Sequence, residues 1–159
     1  MTAAEPSRQF VDTNVLVYAY DQTAGTKHDK ARALMVELLR TGEGCLSMQV
    51  LQEFFVSLTH KIREPLDSVE AGRRVGYLSE WTLHVPDRSD LFSAIDLHQQ
   101  LRISFWDAMV IQSARRLGCR VLWTEDLGNG QIYAGVTVRN PFANMVMEDS
   151  APYGTSPIP

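Results

Sequence analysis

Four acidic residues in this sequence, Asp12, Glu53, Asp107 and Asp126, are placed where carboxylates can act together. Two of them, Asp12 and Asp126, follow apolar, strand-like runs, and the other two lie on helical segments. Carboxylates gathered without a basic partner repel one another, and some stay protonated unless a cation holds them together. Magnesium or manganese is the natural occupant, because both accept oxygen ligands and magnesium keeps several waters, leaving room for a substrate phosphate. One or two such ions make a water nucleophilic and steady the charge developing on a leaving oxygen, so the reaction served is phosphodiester hydrolysis. In that scheme Asp12, Asp107 and Asp126 bind metal directly or through water, while Glu53 binds metal or orients the attacking water. Asn14 and Thr124 are candidates for supporting hydrogen bonds or substrate contacts. Asp21 and Glu125 are further acids that could share the metal role.

Each acid alone has a plainer explanation. Asp12 could cap the helix beginning near Val15, and Ser104-Phe105-Trp106-Asp107 fits a capping box. Glu53 sits off the centre of an apolar helix face, as solvated glutamates do. Asp126 could shape the turn Gly128-Asn129-Gly130. Removing the site needs a separate explanation for every acid, whereas one metal centre accounts for them all.

The elements that must position these residues alternate between strand and helix. Gln9 to Val11 reads as a strand, followed by the polar turn Asp12-Thr13-Asn14 and a short helix. From Asp29, Ala31, Leu34, Met35, Leu38 and Leu39 recur at helical spacing until Gly42. Cys45-Leu46 is a second strand, and Ser47 caps a helix whose core face is Val50, Leu51, Phe54, Phe55 and Leu58, ending by Pro65. Asp67 or Ser68 starts a helix running to about Trp81, and Leu83-His84-Val85 is a third strand. Ser89 or Asp90 caps a helix with Leu91, Ala94, Ile95 and Leu101 on one side. A further helix spans Phe105 to Leu117, Val121-Leu122-Trp123 is a strand leading to Asp126, and Val136-Thr137-Val138 is the last strand. Right-handed crossovers place helices on both faces of a parallel sheet, so the expected fold is an α/β, three-layer α/β/α sandwich with a mostly parallel central sheet. Ligands bind beyond the carboxyl ends of such strands, which makes Asp12 and Asp126 neighbours.

At these residues the sequence resembles PIN-domain ribonucleases, and most closely the VapC-type toxins of bacterial toxin–antitoxin pairs. The resemblance covers nearly the whole chain. It is carried by Phe10-Val11-Asp12-Thr13-Asn14-Val15-Leu16-Val17-Tyr18, by Val50-Leu51-Gln52-Glu53-Phe54-Phe55, by Ser104-Phe105-Trp106-Asp107-Ala108-Met109-Val110 and by Leu122-Trp123-Thr124-Glu125-Asp126-Leu127, in the family's order. It implies Mg²⁺- or Mn²⁺-dependent endonucleolytic cleavage of RNA, neutralisation by a small cognate antitoxin, and usually a homodimer.

Bulk properties set the bounds. A chain of 159 residues, 45% hydrophobic and 21% charged, suits one globular domain, expected over 1–147 with a Pro/Ser/Gly-rich tail at 148–159. No apolar run nears the roughly 20 residues of a membrane helix and the start lacks a secretory pattern, so a cytoplasmic location is expected. Cys45 and Cys119 have no metal-ligand spacing and read as core residues. The net charge of −4 argues against RNA binding by overall field, an objection that bound cations and local arginines offset. Arg73-Arg74 and Arg115-Arg116 could touch phosphates, although surface arginines are usually just solvated. His98 reads as a core histidine, and the aromatics Phe54, Phe55 and Trp106 could stack on bases or line a subunit contact, core packing being expected for those on apolar faces.

Among rivals, receiver domains and haloacid-dehalogenase-type phosphatases normally need a later lysine. Lysine occurs here only at 27, 30 and 61. No Gly-x-Ser-x-Gly elbow, credible Cys–His pair or P-loop is present. The alternative that keeps its standing is a non-enzymatic PIN-fold module that docks protein or RNA.

Overall fold

A computed structural model describes residues 7–144, so the expected domain boundary and the 148–159 tail lie outside the described residues. The order is β1 (Gln9–Val11), α1 (Thr13–Tyr20), α2 (Thr26–Thr41), β2 (Gly44–Ser47), α3 (Met48–Val56), α4 (Ser68–Leu78), β3 (Thr82–His84), α5 (Arg88–Leu101), α6 (Phe105–Arg116), β4 (Val121–Trp123), β5 (Ile132–Tyr133) and β6 (Val136–Arg139). The strands form one sheet in the order β3-β2-β1-β4-β6-β5, parallel except for the antiparallel β5–β6 hairpin. The chain winds from β1 outward to β3 and then returns to β4 on the other side of β1. Right-handed crossovers running in opposite directions put α1–α4 on one face and α5–α6 on the other. The contacts agree: α1 packs on α2 and α3, while α5 packs on α6 and α6 lies against β2, β4 and β6. The α/β fold with a mostly parallel sheet is therefore as expected.

The point of reversal is β1, whose register pairs Phe10 with Cys45 on one side and Leu122 on the other. Phe10, Cys45, Leu46, Leu122 and Val138 are buried, as strands covered on both faces require. Beyond their carboxyl ends stand Asp12, the start of α3 and the Thr124–Asp126 segment, the crevice where such sheets bind ligands.

Several boundaries differ from the sequence expectation. The α3 helix gives way at Ser57 to a π-turn, Ser57–Lys61, so it ends before Pro65. The cap of α5 is Asp87, whose carboxylate accepts from the Asp90 amide while Asp90 accepts from the Asp87 amide, a reciprocal box that displaces Ser89 and Asp90 from the role. The α4 helix stops at Leu78, and Trp81 lies in the turn beyond it, its ring packed over Gly44 where a Cβ would collide. Strand β3 sits one residue earlier, leaving Val85 exposed. Leu39 and Leu91 face solvent instead of the core. His98 is exposed as well, its Nδ1 bonded to the Ile103 carbonyl at the end of α5.

The histidine that is buried is His84. Its Nδ1 pairs with Ser113 Oγ at 2.8 Å and its Nε2 with Asp90 Oδ2 at 3.1 Å. Gln112 donates to the other Asp90 oxygen, and Arg116 stands 3.4 Å from it. Desolvation opposes the Asp90 charge, but the hydrogen bonds from Gln112 and the Asp87 amide, with His84 and Arg116 nearby, hold its carboxyl below the usual range. This network ties β3, α5 and α6 together. Ser113 is fully buried, so the Asp–His–Ser chain has no substrate access and is a packing device.

Candidate active site

Asp12 leaves β1 in extended conformation and caps α1, its Oδ1 accepting from the Thr13 amide at 2.7 Å. The capping explanation is thus correct as far as it goes. The other oxygen accepts from Thr124 Oγ1 at 2.9 Å, which links the end of β1 to the end of β4 across adjacent strands. Asn14 completes the join: its amide nitrogen donates to Asp126 Oδ2 at 2.9 Å and to Thr124 Oγ1 at 3.3 Å. The Asp126 amide donates back to Thr124 Oγ1 at 3.1 Å. Asn14 and Thr124 therefore aim the two aspartates.

Asp107 comes from the opposite layer, in the first turn of α6, where its amide donates to Ser104 Oγ. One carboxylate oxygen from each of Asp12, Asp107 and Asp126 lies within 4.8 Å of the other two. Glu53, from α3, is held just outside this trio by Thr13 Oγ1 at 2.7 Å and Gln49 Nε2 at 3.1 Å. Sequence reasoning missed both of these donors. Gln49 lies one helical turn before Glu53, an i,i+4 spacing that could have signalled it.

The electrostatics are those of a cluster that wants a cation. Burial, then the charges of Asp126 and Glu53, push the Asp12 carboxyl up to about 8, against lowering hydrogen bonds from Thr124 and Thr13. Asp126 rises to about 6 through desolvation, with Asp107, Glu125 and Glu53 adding to it and Asn14 opposing. Asp107 is raised too, mainly by desolvation, with Glu53 contributing. An octahedral ion with ligands at about 2.0–2.1 Å spans about 4.2 Å between opposite oxygens, so three carboxylates at this spacing fit one small divalent ion after slight side-chain adjustment. The donor set is all oxygen, which suits magnesium or manganese better than zinc.

The remaining acids are engaged elsewhere. Glu125 accepts from Tyr18 Oη at 3.1 Å and from Lys27 Nζ at 3.0 Å, and Lys27 also stands over the Tyr18 and Phe142 rings. Burial and then this carboxylate push the Tyr18 hydroxyl well above its usual range. Asp21 ends α1 and accepts from the amide and hydroxyl of Thr23, shaping the short 3₁₀ turn there. Among the arginines, Arg73 and Arg74 pair with Glu70, Arg74 also lies over the Tyr20 ring, and Arg116 faces Asp90. Phe54 is fully buried, whereas Trp106 is half exposed.

Comparisons with known proteins agree with this geometry. A family model described as the PIN domain matches residues 10–132. Among solved structures, the chain is similar to a toxin–antitoxin complex from Klebsiella pneumoniae, at 20% identity over 85% of this chain and 98% of that one, with a TM-score of 0.60. It is similar to a DNA-bound VapBC from Salmonella typhimurium at 16% identity, 85% and 98% coverage and a TM-score of 0.60. It also resembles VapC20 from Mycobacterium tuberculosis, described as a toxin cleaving the sarcin–ricin loop, at 18% identity, 72% and 86% coverage and a TM-score of 0.55. No curated protein matches the sequence.

Proposed function

From the premise that this chain belongs to the PIN-domain family, we propose that it is a metal-dependent endoribonuclease, the toxin of a toxin–antitoxin pair neutralised by a small antitoxin protein. The observation that carries the reading is the convergence of Asp12, Asp107 and Asp126 from β1, α6 and the end of β4. A pure docking surface has no physical need for mutually repelling carboxylates in one crevice. The structural relatives described as toxin–antitoxin complexes support the toxin role and the antitoxin partner. Homodimerisation and a cytoplasmic location belong to the same proposal; among the described residues no helix is long and apolar enough to cross a membrane.

In this mechanism Asp12, Asp107 and Asp126 would hold Mg²⁺ or Mn²⁺. The bound ion would supply Lewis-acid activation of water and charge stabilisation at phosphate oxygens. Thr124 and Asn14 keep Asp12 and Asp126 oriented, which spares the site that reorganisation during reaction. Glu53, fixed by Thr13 and Gln49 outside the trio, accepts a proton or hydrogen bond from the attacking water. Lys27 compensates the Glu125 charge beside the trio through a 3.0 Å ion pair.

The test is cleavage of end-labelled structured RNA by the purified, antitoxin-free protein in Mg²⁺ or Mn²⁺, with EDTA, Asp12→Asn and Asp107→Asn as controls whose folding is checked by circular dichroism. Metal-dependent cutting lost in both variants is expected. No cutting across varied RNAs, together with no divalent-metal binding by calorimetry, leaves the docking module as the better account.

A further inference from the structure

Tryptophan is among the most costly residues to leave in water, and its large indole is normally mostly covered. Trp106 is 51% exposed, whereas Trp81 and Trp123 are partly buried. Its place in the fold is specific. It precedes Asp107 in the first turn of α6, and Asp107 contributes a carboxylate oxygen to the acidic trio. Consecutive α-carbons stand about 3.8 Å apart and successive helical side chains diverge by about 100°, so the indole leaves the helix next to Asp107 in a different direction from its carboxylate. Phe105, packed against the core, meets the Trp106 ring edge-on at 5.1 Å and 66°. That contact braces the indole at its side.

An exposed, braced indole beside a phosphodiester-cleaving cluster answers a difficulty posed by the charge. The chain carries a net charge of −4, and Arg73, Arg74 and Arg116 are paired within the protein. The overall field of the chain therefore does not attract phosphate, and affinity has to come from local contacts. Stacking on an aromatic face is independent of net charge and open to every base, provided that the base is unpaired and free to swing out. A ring held in place before binding loses little conformational entropy on contact.

We propose that Trp106 forms a nucleobase subsite, on which an unpaired RNA base next to the scissile phosphate stacks. The inference rests on the ribonuclease reading above and adds that affinity at this position is set by stacking on the Trp106 indole. Trp106 is a substrate-binding residue, and the acids carry the chemistry. The other exposed large apolar residues, Leu39 on α2, Tyr77 on α4 and Phe92 on α5 among them, lie on elements that contribute no acid to the trio.

The experiment uses the full chain and a short, end-labelled single-stranded RNA containing a mapped cleavage position, with matched strands carrying an abasic nucleotide on either side of it. Trp106→Ala is expected to raise KM about tenfold, within the range of base–aromatic stacking, with kcat changed by less than about twofold. Trp106→Phe, which keeps an aromatic face, retains most of the affinity. One of the abasic strands loses the same factor against the wild-type protein and nothing further against Trp106→Ala, the signature of two partners in one contact. An unchanged KM, or abasic and alanine losses that multiply, overturns the proposal. So does a Trp106→Ala protein that keeps its KM but changes oligomeric state in sedimentation, because the indole then belongs to a subunit contact. A wild-type protein that cuts no RNA defeats the ribonuclease reading itself, whereas cutting that ignores Trp106 defeats only this subsite.

Discussion

Removing the charge of Asp12 should stabilise the metal-free protein while removing its activity. Asp12 is 6% exposed and its carboxyl is raised from 3.8 to about 8, first by burial and then by Asp126 and Glu53. A carboxyl whose folded value lies above its unfolded value adds stability that is fully present below the unfolded value and is lost as pH rises through the folded one. The window therefore runs from about pH 4 to about pH 8. At about 1.4 kcal/mol per unit the shift bounds the loss at about 6 kcal/mol. Water entry and relaxation leave several-fold less in a crevice open on the Asp126 side, so ~2–3 kcal/mol is expected. For a domain of this size that is roughly 5–10 °C in Tm. Calorimetric scans in EDTA at pH 5 and pH 8.5 make the comparison. The wild-type protein should lose stability relative to Asp12→Asn between the two, and Mg²⁺ or Mn²⁺ should restore the wild type alone at pH 8.5. Wild-type and variant curves that run parallel across the window, or an Asp12→Asn protein less stable at pH 8.5 in EDTA, would refute the reasoning.

Three further outcomes follow from the same geometry. Because Glu53 stands outside the trio, Glu53→Gln should keep divalent-metal affinity by calorimetry within about threefold while kcat falls by at least about 100-fold, and Thr13→Val should lower kcat where Thr13→Ser does not; loss of metal binding in Glu53→Gln would make it a ligand instead. Lys27→Met leaves the Glu125 charge uncompensated beside the site, so it should cost about 1–3 kcal/mol in urea unfolding, most of it recovered in Lys27→Met/Glu125→Gln; equal losses in the single and double variants would count against the pairing. Asp90→Ala strands His84, Gln112 and the Asp87 amide and should cost about 3–5 kcal/mol with metal binding unchanged, which denaturation and calorimetry on the same sample will decide.

What the sequence determined by itself was the part governed by local rules. Short apolar runs marked β1 and β4 and period-3.6 patterns marked α2, α3 and α6, because strands covered on both faces and amphipathic helices leave those signatures. Acids placed just beyond strand ends marked the edge where Asp12 and Asp126 come together, because chain polarity in a parallel sheet puts all strand ends on one side. Boundaries that depend on a partner were less legible. The π-turn after α3 and the Asp87 cap of α5 arise from how the chain leaves one element to pack on another. The two-residue β5 exists only because β6 offers it an edge.

Tertiary structure alone decided the finer assignments among the acids and histidines. The sequence placed Asp12 and Asp126 in the site but left open whether Asp21 or Glu125 shares their role. Packing turns Glu125 toward Tyr18 and Lys27, gives Asp21 to Thr23, and leaves Asp12 and Asp126 facing Asp107 from another layer. Likewise His98 and His84 both lie near apolar neighbours in sequence, yet only His84 is covered, because α5 and α6 close over β3 and supply Asp90 and Ser113. The cause is the same in both cases. A carboxylate or imidazole is assigned by the groups that surround it in three dimensions, and those groups arrive from positions up to 112 residues away in the chain.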